Sequence, residues 1–167
     1  MDRSNGIDEV FDKHIEYEFE NKDLEATMTT MINDPYVHHV PTLTGGVGYT
    51  EVFDFYKNHF IGKLPKDIKI KPISRTVGQD QVVDEVIVSF THDREIDYML
   101  PGVVPTGKYV EIPHVVIMKF INGKIAHEHI YWDQASVLVQ LGLIDQKTLP
   151  ITGIQQSKRI KELADKE

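Results

Sequence analysis

The sequence predicts an α+β fold, and three observations carry that expectation. Apolar residues recur at helical spacing near the N-terminus, at Ile7, Val10, Phe11 and His14, with Tyr17 continuing the stripe. From Asp67 onward, runs rich in valine and isoleucine are separated by turn residues, which is the pattern of strands. Asn122-Gly123 divides two of those runs, and a two-residue hairpin turn needs residues that tolerate positive φ at both positions. A helical first half followed by strands is the order of an α+β domain.

The elements follow in order. Asn5 is placed to cap the first helix, and Asp23 to cap a second, short one carrying Leu24, Thr27, Met28 and Met31. Asn33-Asp34-Pro35 should break that second helix. Tyr36 to Pro41 then reads as a short extended piece, and Thr42-Leu43-Thr44-Gly45-Gly46 as a loop. Gly48 and Thr50 precede a third helix with Val52, Phe55, Tyr56, His59 and Phe60 near one face. Ile68, Ile70 and Ile73 begin the first long strand, which turns at Val77-Gly78-Gln79-Asp80. Residues Gln81 to His92 form the next strand. The two prolines and two glycines between Met99 and Lys108 mark a loop or bulged strand end. Tyr109 to Ile121 and Lys124 to Trp132 are the two arms of the hairpin. A helix with Ala135, Leu138, Val139 and Leu141 on its apolar side ends at Gly142. Residues 154–167 are a polar tail, read as a short exposed helix or a partly disordered segment, after one domain spanning 1–153.

Bulk properties bound the function. A chain of 167 residues, 41% hydrophobic, suits one domain with a substantial core. A net charge of −8 without a basic run argues against nucleic acid as a partner. There is no cysteine, which removes disulfides and thiolate catalysis and fits a cytoplasmic location. The N-terminus has no signal pattern, and no apolar run approaches the roughly 20 residues that cross a bilayer, so no membrane partner is expected. Both phases of the Tyr109–Ile121 strand are apolar: Val115 and Ile117 oppose His114, Val116, Met118 and Phe120. A sheet apolar on both faces needs two covers. The helices supply one, and a second copy of the chain, forming a homodimer through the sheet face, is expected to supply the other.

The last strand places His127, His129, Tyr131 and Asp133 at period two, so their side chains share one face. Asp133 stands at a strand-to-helix junction, where it has two compatible readings: the N-cap of the following helix, or a general acid/base with a carboxyl pKa raised by apolar surroundings. His127 and His129 also have the spacing of two metal ligands. No HExxH motif and no cysteine accompany them, and neither a metal nor a cofactor is expected. There is no GxSxG elbow, no GxGxxG and no GxxxxGK[ST] motif.

The words PTGK at Pro105–Lys108, EIPHVVIMKFINGKI from Glu111, YWDQ at Tyr131–Gln134 and VLVQLG ending at Gly142 resemble the SnoaL-like polyketide cyclases and their ester-cyclase relatives. Three helices before a curved antiparallel sheet are similar to the nuclear-transport-factor-2-like cone that this family shares. The resemblance spans roughly Ile7 to Gly142. It implies a cone-shaped, mostly antiparallel sheet with about three N-terminal helices packed on it and a C-terminal helix, enclosing an apolar pocket for a small molecule. It also implies an aspartate at the end of the last strand that works as acid and base without metal or cofactor, a role falling on Asp133, and a pocket-facing sheet histidine matching His114. Relatives often show a tryptophan–acid pair where this chain has His129-Ile130, so substrate specificity does not transfer.

These readings nominate Asp133, His114 and His129 as catalytic. His38 or His39, Tyr56, His92, Asp97, Tyr131 and Trp132 are nominated as pocket lining, with His127 outside. The expected activity is cofactor-free acid/base catalysis on a small apolar carbonyl compound, of cyclase or isomerase type. The alternative is a small-molecule-binding or accessory dimer domain of the same fold without catalysis.

Overall fold

The computed structural model describes residues 6–166. Helix α1 (Ile7–Glu16) buries Ile7, Phe11 and His14 and runs into a widened turn over Tyr17–Asn21. The Asn5 cap expected there lies outside the described residues. Helix α2 (Leu24–Thr29) is capped by Asp23, whose carboxylate accepts from the Ala26 N–H at 3.0 Å. Met31 does not extend that helix. It opens strand β1 (Met31–His39), and Asn33-Asp34-Pro35 sits within this strand, where the pairing shifts register between Met31 and Tyr36. A bulge tolerates a proline that a regular ladder would not.

The segment read as a loop after β1 contributes strand β2 (Thr44–Val47), paired antiparallel to β1. Its glycines explain the pairing. A Cβ on Gly45 would overlap the Val37 carbonyl, and one on Gly46 would meet the Glu51 backbone. Helix α3 (Tyr49–Phe55) continues as a wide turn over Tyr56–Phe60. Strands β3 (Lys69–Val77), β4 (Gln81–Thr91), β5 (Tyr109–Ile121) and β6 (Lys124–Trp132) follow. The β5–β6 turn has Asn122 and Gly123 at φ 51° and 75°, the geometry the Asn-Gly pair predicts.

Helix α4 (Gln134–Leu141) ends on Gly142 in the left-handed region. Helix α5 (Gln155–Ala164) follows and is docked rather than loose. Ser157 is buried, and Lys161 Nζ reaches Glu111 on β5 at 2.6 Å. Among the described residues no helix is long and apolar enough to cross a membrane.

The six strands form one curved open sheet in the order β2-β1-β6-β5-β4-β3. Neighbours are antiparallel except β1 and β6, which run parallel. The mostly antiparallel α+β fold expected from the sequence is the fold observed. Val52, Val82, Phe90, Ile112, Met118, Ile125 and Val137 are wholly buried between helices and sheet. Each such side chain contributes about 1.5–3 kcal/mol of burial free energy.

Candidate active site

Sheet alternation decides which groups meet. On β6, Glu128, Ile130 and Trp132 face α1, while His127, His129 and Tyr131 face away. Register carries the inner row outward: Val37 and His39 of β1 lie beside Glu128 and Ile130, and His114 of β5 lies beside Trp132. Between this face and α1 is a cavity of about 680 Å³, the size of a site for a drug-sized molecule. Phe19, Phe60, Val86, Val88, Val116 and Ile130 give it apolar walls. Arg75 stands at its wall, neutralised by Asp84 and Asp12 at 2.7 Å each and stacked on the Phe11 ring at 4.5 Å.

Apart from the Arg75 ion pairs, the cavity has a polar region deep between α1 and β6. Glu18, from the turn after α1, and Glu128, from mid-β6, line it together with Tyr56. His14 lies behind them, fully buried. The Thr30 hydroxyl donates to the Thr27 carbonyl at 2.6 Å, so its oxygen accepts from His14 Nδ1–H, also at 2.6 Å. That bond turns Nε2 toward Glu18 Oε1 at 3.1 Å and Glu128 Oε1 at 3.0 Å. The Tyr56 hydroxyl donates to Glu128 at 2.8 Å and lies 3.2 Å from Nε2.

The electrostatics follow from burial and pairing. Burial alone would depress the His14 imidazole, but the two carboxylates outweigh it and raise its pKa to about 10. Burial pushes Glu18 above the usual carboxyl range, against the pull of His14. Glu128 feels the same burial, but the His14 charge and the hydrogen bonds from His14 and Tyr56 hold it below that range. The result is an imidazolium between two carboxyl groups whose proton affinities differ. Glu18 keeps its proton where Glu128 is ionised, so the two carboxyls are set apart as a proton donor and a carboxylate, the separation that assigns different roles to paired acids. Three ligand atoms here lie within 4.8 Å of one another, so a divalent cation could compete with the imidazolium proton for the carboxylates.

Of the residues nominated from sequence, His114, His39 and Tyr56 line the cavity. His114 stacks on Trp132 with ring centroids 5.2 Å apart, and burial lowers its pKa to about 4. His39 is enclosed by Phe55, Phe60, Tyr98 and Trp132, and burial lowers it to about 3. Both are neutral imidazoles at pH 7. Trp132 backs both histidines without reaching the cavity surface, its indole N–H held by Gln134 at 2.7 Å.

The other nominations fall elsewhere. Asp133 is outside the cavity lining: its carboxylate accepts from Ser136 N–H at 3.2 Å, Ser136 hydroxyl at 2.8 Å and Gln156 at 2.6 Å. These bonds overcome partial burial and lower its pKa, where the sequence reading expected apolar surroundings to raise it. His129 lies on the opposite sheet face, bonded to the Tyr36 hydroxyl at 2.9 Å and stacked on His127. Tyr131 is on that face too and exposed, and His38 lines a separate recess beside β2. His92, just past β4, is tied to Thr106, and Asp97 pairs with His59 at 3.1 Å. Sequence reasoning missed His14, Glu18 and Glu128. The available signal was a histidine in an apolar helical stripe with a glutamate four residues on, and a lone carboxylate in phase with Ile130 and Trp132.

The chain belongs to the SnoaL-like polyketide cyclase family, whose model matches residues 13–141. No curated protein matches the chain significantly. Among solved structures it is similar to a Jannaschia sp. CCS1 protein assigned as a SnoaL-like polyketide cyclase (TM-score 0.67, 18% identity, covering 87% of this chain and 99% of that one). It is also similar to TsrD from Streptomyces laurentii (TM-score 0.66, 13% identity, 86% and 99%) and to an NTF2-like protein from Burkholderia pseudomallei (0.62, 16%, 81% and 97%). At these identities the likenesses show the fold alone.

Proposed function

We propose that this protein is a cofactor-free acid/base enzyme of cyclase or isomerase type, acting on a small apolar carbonyl compound. Glu18 and Glu128, rather than Asp133, are the groups that move protons. The observation that supports this is the buried Glu18–His14–Glu128 cluster opening onto an apolar cavity, with the two carboxyls shifted in opposite directions. In this reading the Glu128 carboxylate takes a proton from the carbon next to the carbonyl. The Glu18 carboxylic acid gives one to the carbonyl oxygen, and an enol results. The enol carbon then attacks a second carbonyl, whose oxygen takes the proton from Glu128, or that proton is delivered to a different carbon. In either case the enol O–H returns its proton to the Glu18 carboxylate as the carbonyl re-forms. His14, in contact with both carboxyls, holds them in place and balances the charge that moves between them.

Hydrogen–deuterium exchange at the α-carbon of 2-tetralone in D2O, followed by proton NMR, tests this without knowledge of the natural substrate. Glu18→Gln and Glu128→Gln should each slow exchange at least about 100-fold, while Asp133→Asn stays near wild type and EDTA has no effect. Exchange that survives both glutamate substitutions but not Asp133→Asn would return the role to Asp133. Wild-type protein that catalyses no exchange favours the binding-domain alternative.

We also propose a homodimer through the sheet face turned away from α1. Val115 and Tyr131 are exposed there, with Tyr36 and Ile117 half-buried beside them, and the hydrogen bonds from α4 and α5 to β5 fall at Glu111. Light scattering should give twice the chain mass, reduced to one chain by Tyr131→Glu. A monomeric wild type rejects the dimer.

A further inference from the structure

The cavity has a second polar position that the acid–base pair does not use. His114 is only 4% exposed and stacks on Trp132. Its Nδ1–H donates to the Ile112 carbonyl of its own strand at 3.2 Å. That assignment leaves Nε2 as the lone-pair nitrogen, and it has no hydrogen-bond partner among the described residues. The side chain lines the cavity, so the free acceptor is open to whatever fills it. A neutral imidazole with an unpaired acceptor invites a hydrogen-bond donor and is a poor place for bare hydrocarbon.

The sheet fixes how far this acceptor lies from the acid–base pair. Glu128 and Trp132 are four residues apart on β6, and His114 is the cross-strand partner of Trp132. At about 3.3 Å per residue the two stations are on the order of 13 Å apart along the strand. Between them on the same face lie Ile130 and Val116, both apolar and both lining the cavity. Along β5 and β6 the sequence of surfaces is therefore carboxyl pair, hydrocarbon, imidazole acceptor, with His39 flanking the middle row on β1 and the Arg75–Asp84 pair flanking it on β3 and β4.

We infer that the cavity takes an elongated, multi-ring carbonyl compound bearing a hydroxyl at the end opposite its carbonyl, with His114 Nε2 accepting from that hydroxyl. The carbonyl sits at Glu18 and Glu128, the rings lie along Ile130 and Val116, and the hydroxyl meets His114. This rests on the proposed seat of proton transfer for the position of the carbonyl. Specificity then arises at a residue remote from the chemistry. A substrate lacking the far hydroxyl would leave the acceptor dry and unpaired, which is the circumstance in which buried polar sites discriminate most strongly.

Three rigid ketones test it by calorimetry or fluorescence quenching of Trp132: 4′-hydroxyflavanone with its hydroxyl far from the ketone, flavanone with none, and 6-hydroxyflavanone with its hydroxyl on the ring fused to the ketone ring. The full-length wild-type protein should bind 4′-hydroxyflavanone at least tenfold more tightly than the other two. His114→Phe keeps the stack on Trp132 and removes the nitrogen. It should bring the three affinities within about twofold by weakening only the first. His114→Gln, which retains an acceptor, should recover part of the preference and guards against misreading a folding defect. Glu18→Gln should leave the preference intact, so loss of exchange activity and loss of hydroxyl selectivity report on separate claims. Equal binding of the three by wild type, an equal gain for 6-hydroxyflavanone, an unchanged ratio in His114→Phe, or no binding at all would overturn the inference.

Discussion

Thr30 shows how much of the site depends on a residue that touches no cavity. Its hydroxyl hydrogen is committed to Thr27, so its oxygen is fixed as the acceptor for His14 Nδ1–H and the ring cannot turn Nε2 away from the carboxyls. Thr30→Val keeps the shape and removes that acceptor. It should cost about 1–3 kcal/mol, because a buried N–H is left without a partner. It should also lower the His14 pKa from about 10, since the imidazolium loses one of its hydrogen bonds. NMR titration of His14 reads the second effect, and Thr30→Ser should restore it. A His14 titration unchanged in Thr30→Val would show that Thr30 only fills space. None of this was legible in the sequence. His14 fitted an apolar stripe with Ile7, Val10 and Phe11, and only the meeting of α1, α2, β6 and the turn after α3 reveals four partners around its ring. Period two on β6 correctly grouped His127, His129 and Tyr131, but periodicity cannot say which of two faces is inside. Four conspicuous polar residues drew the choice, and the single carboxylate of the other phase proved to be the buried one.

At the scale of elements, chain-local signals transferred well and pairing-dependent ones did not. The β5 and β6 boundaries and their Asn-Gly turn stand where apolar runs and turn chemistry put them. Strand β2 was invisible because Thr44-Gly45-Gly46-Val47 has no alternation of its own. It is a strand only because its glycines let β1 come close. The C-terminal segment looked solvated, yet Gln156 bonds Asp133 and Ser136 and so fastens α5 to the start of α4. Asp133 is thus the node joining β6, α4 and α5. Asp133→Ala should cost about 0.5–2 kcal/mol for the lost cap, or more if α5 detaches with it. Denaturant unfolding measures the loss. Amide exchange should show faster opening in α4 and α5 than in the sheet. Unchanged stability would mean the cap is redundant and would reopen the case for a chemical role.

For the whole molecule, the buried histidines make stability a dome in pH. His39 and His114 have native pKa values of about 3 and about 4 against 6.5 for an ordinary histidine. Below pH 6.5 the unfolded chain therefore binds two protons that the native chain refuses, and stability falls as the solution becomes more acid. Glu18 opposes this above pH 4.5, because burial makes the native chain keep a proton that the unfolded chain releases. His92 and His127, which burial also lowers, act in the same direction as His39 and His114, so the acid limb falls toward low pH despite Glu18. On the alkaline side His14 reverses the sign. Its native pKa of about 10 exceeds the ordinary 6.5, so its contribution is complete below pH 6.5, declines as pH rises, and is gone beyond about 10. Urea midpoints measured from pH 4.5 to 10 should peak near 6.5. His114→Phe should flatten the acid limb by one proton and leave the alkaline limb unchanged, whereas His14→Gln should flatten the alkaline limb. A monotonic profile, or an acid limb that His114→Phe does not alter, would contradict a neutral, buried imidazole at position 114. The hydroxyl-accepting role inferred for that residue would then lose its physical basis, because a charged ring has no lone pair to offer.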